Sequence, residues 1–292
     1  MKLLFLYFSG TGNTDYVAQY LAGRLAGNPA LPSLEIEMRT IEQQPAETLE
    51  GFDLLVVGFP VYAADAPKFF QDYLDRLPPG DGRGSFVFCT KGAYAGGAVR
   101  RALQYLALKD YVPLGGGSVL MPGTDGLSLI SKNSWMARKA LEKDYDNLKD
   151  ADRLIEEMVS VLVDLLDGQR AETRCLPLPV RTRASLPDQV WAALYHASEN
   201  WTRKRLHADE GCEGCGLCVR ICPVDNAELC DGHARFSDRC VLCLRCLHAC
   251  PQEAIQIGKI TVGTFRWRGP KGDFKPLRVQ TNCSSHRQQP EG

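Results

Sequence analysis

The sequence predicts an α/β fold, a doubly wound five-stranded parallel sheet, followed by a small α+β domain. Short apolar runs alternate with helical patterns through the first 168 residues, and this alternation is typical of βαβ units. Between Cys212 and Pro251, two cysteine runs flank an Asp231-Gly232 hairpin signal, which indicates a separate small domain. The stretch from Arg170 to Gln189 is rich in proline and arginine and is typical of an extended linker.

Composition argues against several classes of protein. The chain has 292 residues, 45% of them hydrophobic, and a formal net charge of -1, which disfavours a nucleic-acid-binding surface. No apolar run approaches the length that spans a membrane, and the run from Leu3 to Phe8 is too short for a signal peptide. Cysteine is abundant, and without a secretory signal this favours a cytoplasmic location.

The first element is a continuously apolar run from Lys2 to Phe8, which predicts a buried parallel strand. A loop of glycine and hydroxyl residues follows, and then a helical pattern. This arrangement can offer backbone N–H groups and hydroxyls to an anion at the helix N-terminus. The loop lacks lysine, arginine and a Walker A ending, so we expect neutral donors to hold a phosphate, with a plain tight turn as the alternative. It consists of Ser9, Gly10, Thr11, Gly12, Asn13 and Thr14.

Four further apolar runs predict the remaining strands, at 34–38, 53–59, 85–89 and 119–121. One helix is predicted from about 67 to 77. Another follows the fourth strand and its loop and ends at about 108. Loops follow the third, fourth and fifth strands: Pro60 to Pro67, Thr90 to Gly97 and Pro122 to Gly126. Because ligands bind parallel sheets beyond the carboxyl ends of the strands, we expect binding at these loops.

A long helical pattern covers residues 131–167, with an expected break near Asn147 and a stop at Gly168. We expect its apolar face, which includes Leu141, to pack on the sheet. The arginines of the linker that follows predict a solvated face, and a docking patch for an acidic partner is the alternative.

A second long helix is predicted over 187–205, with Ser185 as a candidate cap. This helix carries three large aromatic side chains, Trp191, Tyr195 and Trp201. We expect these anchors to pack one domain against the other.

Eight cysteines form two runs with the same spacing, C-x2-C-x2-C-x3-C-P, and the second begins 28 residues after the first. Three closely spaced thiolates on one tight loop can bind a small iron–sulfur cube. A fourth thiolate, from another part of the chain, completes the ligand set. Zinc sites normally use separated C-x2-C pairs, and disulfides are rare without secretion, so both alternatives are weaker. The eight are Cys212, Cys215, Cys218, Cys222, Cys240, Cys243, Cys246 and Cys250.

The two runs resemble bacterial dicluster ferredoxins, in which the last cysteine of each run ligates the other cluster. The resemblance implies two [4Fe-4S] clusters, and the repeat predicts pseudo-twofold symmetry. The implied ligand sets are Cys212, Cys215, Cys218 and Cys250 for the first cluster, and Cys240, Cys243, Cys246 and Cys222 for the second.

The loop from Ser9 to Thr14 resembles the FMN-phosphate loop of flavodoxins, which implies FMN as the cofactor. In flavodoxins the second and third loops hold the flavin ring, so the resemblance implies flavin contacts for Tyr62 and Tyr94. The alternative for each is a half-buried surface aromatic. The third loop departs from small flavodoxins because it is glycine-rich and carries a lysine. The other residues assigned to FMN are Pro60, Val61, Thr90, Lys91, Gly92 and Gly97.

The whole chain resembles the flavodoxin–ferredoxin fusion proteins. The implied parts are a flavodoxin-like FMN domain (1–168), a linker and connecting helix (169–206), a ferredoxin-like domain (207–265) and a C-terminal extension (266–292) with a disordered end. We expect an electron-transfer protein that relays low-potential electrons between FMN, two [4Fe-4S] clusters and an external redox partner protein. The alternatives are a flavin-dependent oxidoreductase acting on a small substrate, and a redox-sensing module.

Overall fold

A parallel sheet organises the N-terminal part of the computed structural model, which describes residues 1–178 and 186–276. Its strands are β1 (Lys2–Tyr7), β2 (Glu35–Thr40), β3 (Leu54–Pro60), β4 (Gly84–Lys91) and β5 (Val112–Leu120). They pair in parallel in the order β2-β1-β3-β4-β5. This is a doubly wound order with its switch point between β1 and β3, so the predicted fold class is confirmed.

The fifth strand is longer than the sequence predicts. It pairs with β4 from Val112 onward, whereas the predicted strand began at Val119. The prediction is wrong at this end because Gly115 to Gly117 carry no side chains and give no apolar signal. A Cβ atom on Gly116 would lie 2.5 Å from the Val87 carbonyl oxygen, so the neighbouring strand requires glycine there.

Helices cover both faces of the sheet. They are α1 (Asn13–Ala26), α2 (Lys68–Asp75), α3 (Ala98–Ala107), α4 (Thr124–Leu127), α5 (Trp135–Glu142) and α6 (Lys149–Leu166). On one face, α1 and α6 bury Leu21 and Met158 in a shared core. On the other face, α2 and α3 bury Phe70 and Leu106 in a second core. The sheet therefore lies between two apolar layers, and its strand ends remain available to the loops.

The expected break in the long helical pattern lies between α5 and α6. The Asp144 carboxylate accepts a hydrogen bond from the Asp146 backbone N–H at 2.9 Å, which competes with helix formation. The break predicted near Asn147 is therefore confirmed. The assignment of Leu141 to the buried face is wrong, since it is 58% exposed. Because α5 is a separate helix, its buried side is set independently of α6.

The small second domain contains, in chain order, α7 (Leu186–Arg203), β6 (Leu206–Ala208), α8 (Leu217–Arg220), β7 (Ala227–Cys230), β8 (His233–Phe236), α9 (Arg245–Ala249) and β9 (Ile255–Ile257). β6 pairs antiparallel with β9, and β7 with β8. Asp231 and Gly232 both have positive φ between β7 and β8, as a type I′ turn requires. The predicted hairpin is therefore confirmed.

After the second domain, the chain returns to the first. Phe265 and Trp267 are buried in the core of the first domain, and the Trp267 side chain is 1% exposed. The Phe265 backbone N–H donates to the Ile130 carbonyl at 2.9 Å. The indole Nε1–H of Trp267 donates to the Asn13 Oδ1 atom at 3.1 Å. The segment after β9 thus completes the first domain.

Some sequence predictions lie outside the described residues, among them the Ser185 cap, the Trp191 side chain and the end of the C-terminal extension. Of the other two aromatic anchors, Tyr195 faces the first domain, as shown below. Trp201 is 43% exposed and lies under the Arg205 guanidinium, so its predicted role as an interdomain anchor is wrong. In the part of the chain that the structure describes, no helix combines the length and apolar character that crossing a membrane needs.

Candidate cofactor-binding sites

Four cysteines from both runs line one cavity. Two come from the loop that leads into α8, the third lies within α8, and the fourth follows α9. Gly214 and Gly216 in this loop have φ of 66° and 70°. A Cβ atom on Gly214 would lie 2.3 Å from the Gly232 carbonyl oxygen, so only glycine fits this turn. The four cysteines at this first cavity are Cys212, Cys215, Cys218 and Cys250.

A second cavity is lined by the other four cysteines, and Cys218 lies on the wall of both. The loop before α9 repeats the backbone of the loop before α8. Leu242 and Leu244 have φ of 51° and 55°, at the positions that correspond to the two glycines of the first run. A leucine with positive φ is strained and persists where the surroundings require that conformation. The second cavity is lined by Cys222, Cys240, Cys243 and Cys246.

The last cysteine of each run has matching backbone surroundings. The Asn226 N–H donates to the Cys222 Sγ at 3.1 Å, and the Ala254 N–H donates to the Cys250 Sγ at 3.3 Å. Hydrogen bonds to sulfur are one of the factors that set the reduction potential of an iron–sulfur cluster. Burial raises the pKa of the Cys243 thiol to about 12, so metal binding there must remove a tightly held proton.

The cysteines surround cavities and do not converge on a point. Among residues 1–178 and 186–276, no three side chains of His, Cys, Asp or Glu are grouped as a single metal ion would need. Each cavity instead has four thiols spread around its wall. This donor set fits a multi-atom iron–sulfur group, whose ligands are cysteine thiolates.

The loop between β1 and α1 is buried and offers backbone donors. Gly12 has φ of 99° and precedes the first residue of α1. The N–H groups of Gly10, Thr11, Asn13 and Thr14 have no hydrogen-bond partner in the described part of the chain. Buried N–H groups without partners are rare in proteins, and a helix N-terminus favours an anion. The loop therefore fits the phosphate of a cofactor.

The polar side chains of this loop are tied to neighbouring loops. The Thr14 and Thr90 hydroxyl oxygens are 2.8 Å apart, and both residues are buried. The Asn13 side-chain amide donates to the Pro122 carbonyl at 2.8 Å. The Thr11 hydroxyl donates to the Thr124 hydroxyl at 3.2 Å. These contacts hold the loop in place and leave its backbone N–H groups for an anion.

The loops after β3 and β4 meet beside it at the carboxyl edge of the sheet. Val61, just after Pro60, donates its backbone N–H to the Thr90 carbonyl at 2.9 Å. Lys91 ends β4, and a Cβ atom on the following Gly92 would lie 2.8 Å from the Gly123 Cα atom. Gly97 is the N-cap of α3. The predicted flavin-binding residues are thus brought to one edge.

Helix α7 contacts the two tyrosines that were expected to contact a flavin ring, and Tyr94 remains 44% exposed. The Tyr62 ring stacks on Tyr195 of α7, with centroids 6.5 Å apart and an interplanar angle of 30°. The Tyr94 hydroxyl donates to the buried Asp188 carboxylate of α7 at 2.6 Å. Asp188 also pairs with Arg101 at 3.2 Å. No local pattern in the sequence indicates these contacts, because they join residues far apart in the chain.

The two candidate cofactor sites are in direct contact. A Cβ atom on Gly10 would lie 2.9 Å from the Cys243 carbonyl oxygen and 3.0 Å from the Tyr62 hydroxyl. Gly10 therefore allows the backbone of the second cysteine run to approach the loop after β1. Arg245 and Glu42 also lie at this junction, and the sequence analysis missed both.

Comparisons with known proteins found one family match and several solved structures. Residues 235–256 match a protein family described as a 4Fe-4S binding domain. A flavodoxin from the domain Archaea is 14% identical, over 57% of this chain and 100% of that one, with a TM-score of 0.38. A Megasphaera elsdenii flavodoxin is 18% identical over 54% and 98%, with a TM-score of 0.38. A Streptococcus pneumoniae flavodoxin is 15% identical over 55% and 99%, with a TM-score of 0.39.

The strand order and the family match carry the conclusion. The order β2-β1-β3-β4-β5 is that of a flavodoxin-like sheet, and the family match contains the second cysteine run. The predicted combination of a flavodoxin-like domain with a C-terminal 4Fe-4S domain is confirmed.

Proposed function

We propose that this protein transfers electrons between FMN, two [4Fe-4S] clusters and an external redox partner protein. Backbone N–H groups from Gly10 to Thr14 hold the FMN phosphate. Cys212, Cys215, Cys218 and Cys250 hold the first cluster, and Cys222, Cys240, Cys243 and Cys246 hold the second. When bound, a flavin exchanges two electrons and each cluster exchanges one, so the protein's contribution is to position and tune them.

The contact between Cys243 and Gly10 supports this proposal above all. The loop that lines the second cavity lies directly on the candidate phosphate loop, with the Cys243 carbonyl against the Gly10 backbone. Cys243 is buried within the same apolar core as Phe8. The two sites therefore share a buried boundary without an intervening element, which suits electron transfer within one chain.

Exposure distinguishes the two cysteine cavities. Cys243 at the second cavity is buried against the first domain. At the first cavity, Cys215 is exposed and the neighbouring Glu213 is exposed as well. We infer that the first cluster is the one that exchanges electrons with the external partner, while the second faces the flavin site.

The position of α7 favours a carrier over an enzyme that binds a small substrate. Such an enzyme needs an open pocket over the flavin loops. Here Asp188 and Tyr195 of α7 lie against Tyr94 and Tyr62 of those loops. These contacts restrict access of a small substrate to the loops and suit electron exchange through the clusters.

An anaerobic redox titration, followed by optical and EPR spectroscopy, tests the proposal. We expect flavin absorbance together with about eight iron atoms per chain, as two four-iron clusters require. The signals should separate into one flavin and two magnetically interacting clusters. Protein purified without oxygen that contains neither flavin nor iron and sulfide would refute the proposed function. Turnover of a small substrate without a protein partner would favour the oxidoreductase alternative.

A further inference from the structure

One buried arginine connects the two candidate cofactor sites. Arg245 begins α9, between the candidate ligands Cys243 and Cys246, and its side chain is 3% exposed. Its Nη2 atom donates to the Ser9 carbonyl at 2.7 Å, and its Nε atom donates to the Gly10 carbonyl at 3.3 Å. The guanidinium of the second domain thus binds two successive carbonyl groups of the candidate phosphate loop.

The same guanidinium is held from two further directions. Its Nη1 atom donates to the Ile221 carbonyl, next to the candidate ligand Cys222, at 3.0 Å. Its Nη2 atom pairs with the Glu42 carboxylate, itself 6% exposed, at 2.6 Å. The second oxygen of Glu42 is buried without a hydrogen-bond partner in the described part of the chain. A buried ion pair often adds little to the free energy of unfolding. The role we assign to the Arg245–Glu42 pair is therefore to fix how the second domain is aligned on the first.

Peptide geometry gives these contacts a consequence for the phosphate loop. In a trans peptide, the carbonyl of one residue and the N–H of the next lie in one plane and point in opposite directions. Holding the Ser9 and Gly10 carbonyls therefore orients the N–H groups of Gly10 and Thr11 away from Arg245. Both N–H groups are without partners in the described residues, so Arg245 fixes free donors before an anion binds.

We propose that Arg245 is a positioning residue through which assembly of the second cluster strengthens phosphate binding at Ser9 to Thr14. The inference rests on the proposed cofactors. Arg245 lies between two candidate cluster ligands, so a cluster that orders this loop also fixes the guanidinium on the phosphate loop. By linkage, bound FMN stabilises the second cluster by the same factor.

The test is an FMN titration of flavin-free protein, monitored by quenching of flavin fluorescence, with variants compared at equal iron content. Arg245→Met removes the donors, and Glu42→Gln removes the partner charge from the first domain without touching a candidate cluster ligand. Arg203→Met is the matched control, since Arg203 donates to the Cys240 carbonyl of the same cysteine run at 2.7 Å.

We expect the FMN dissociation constant to rise about tenfold in Arg245→Met, because the charge-assisted hydrogen bonds that orient the donors are lost. It should rise about threefold in Glu42→Gln, where the amide oxygen still accepts from the guanidinium but the partner charge is gone. It should stay within about twofold of wild type in Arg203→Met. Removing the clusters from wild-type protein by chelation should weaken FMN binding by a factor similar to that of Arg245→Met. Wild-type affinity in both test variants would overturn the proposal.

Hydrogen exchange gives a readout that needs no flavin. In cluster-loaded, flavin-free protein, the amides of Gly10 and Thr11 should exchange faster in Arg245→Met than in wild type, and at the wild-type rate in Arg203→Met. Unchanged exchange would overturn the positioning role. Wild-type protein that binds no FMN would instead refute the proposed cofactor, so the two failures are distinguishable.

Discussion

Replacing Trp267 tests whether the C-terminal segment is part of the first domain. The Trp267 side chain is 1% exposed and packs with Tyr145 and Phe265. Truncating a buried tryptophan to alanine costs about 3–5 kcal/mol of unfolding free energy, from lost burial and the cavity left behind. Trp267→Phe keeps most of the packing but removes the donor to Asn13 Oδ1, which costs about 1–3 kcal/mol.

Urea unfolding followed by circular dichroism measures both changes. With a typical urea dependence of about 1–3 kcal/mol per molar, Trp267→Ala should lower the unfolding midpoint by about 1–5 M, and Trp267→Phe by less. Trp135→Ala is the control, because Trp135 is a tryptophan at the start of α5 that is 64% exposed. Its substitution should change the unfolding free energy by about 0.5 kcal/mol or less. If Trp267→Ala and Trp135→Ala have equal effects, Trp267 does not belong to the core of the first domain.

Three further predictions concern the candidate cofactor sites. Cys222→Ala should remove the EPR signal of the second cluster and Cys250→Ala that of the first, whereas loss of the cluster of its own run in each case would contradict the crossed ligand sets. Gly214→Ala should abolish assembly of the first cluster, because its Cβ atom would lie 2.3 Å from a carbonyl oxygen. Gly263→Ala has a similar φ of 70° but open space, so iron analysis should show normal cluster content. Thr14→Ala breaks the hydroxyl pair with the loop after β4 and should weaken FMN binding about fivefold at unchanged iron content, so unaltered flavin affinity would count against the phosphate assignment.

Local patterns in the sequence predicted much of the fold. Apolar runs and hairpin residues report on their own neighbourhood, so the five strands of the sheet and the turn at Asp231-Gly232 could be anticipated. The first residues of β5 could not, because Gly115 to Gly117 have no side chains to form a pattern. Leu141 was misassigned because one helical phase was extended across a loop that starts a new helix.

At the candidate cofactor sites, too, local patterns were predictable from the sequence and long-range contacts were not. The spacing of the cysteines predicted the two groups of four that the structure brings around separate cavities. Two contacts could not be predicted from the sequence: that of Asp188 with Tyr94 and that of Arg245 with Ser9. Each joins residues about a hundred or more positions apart, and local patterns do not report on such contacts. A single arginine between two cysteines carries no periodic signal, and its role depends on which loop the fold places opposite it.

The return of Phe265 and Trp267 to the first domain has a consequence for biosynthesis. Protein domains usually fold in turn as they leave the ribosome, the N-terminal one first. Here the core formed by the sheet and helices of residues 1–166 lacks Phe265 and Trp267 until the ribosome has synthesised the whole cysteine-bearing segment that precedes them. In topological terms the small domain is an insertion in the large one. A single cut in the chain therefore cannot separate two complete modules, and exchanging the cluster-binding part for another requires two junctions.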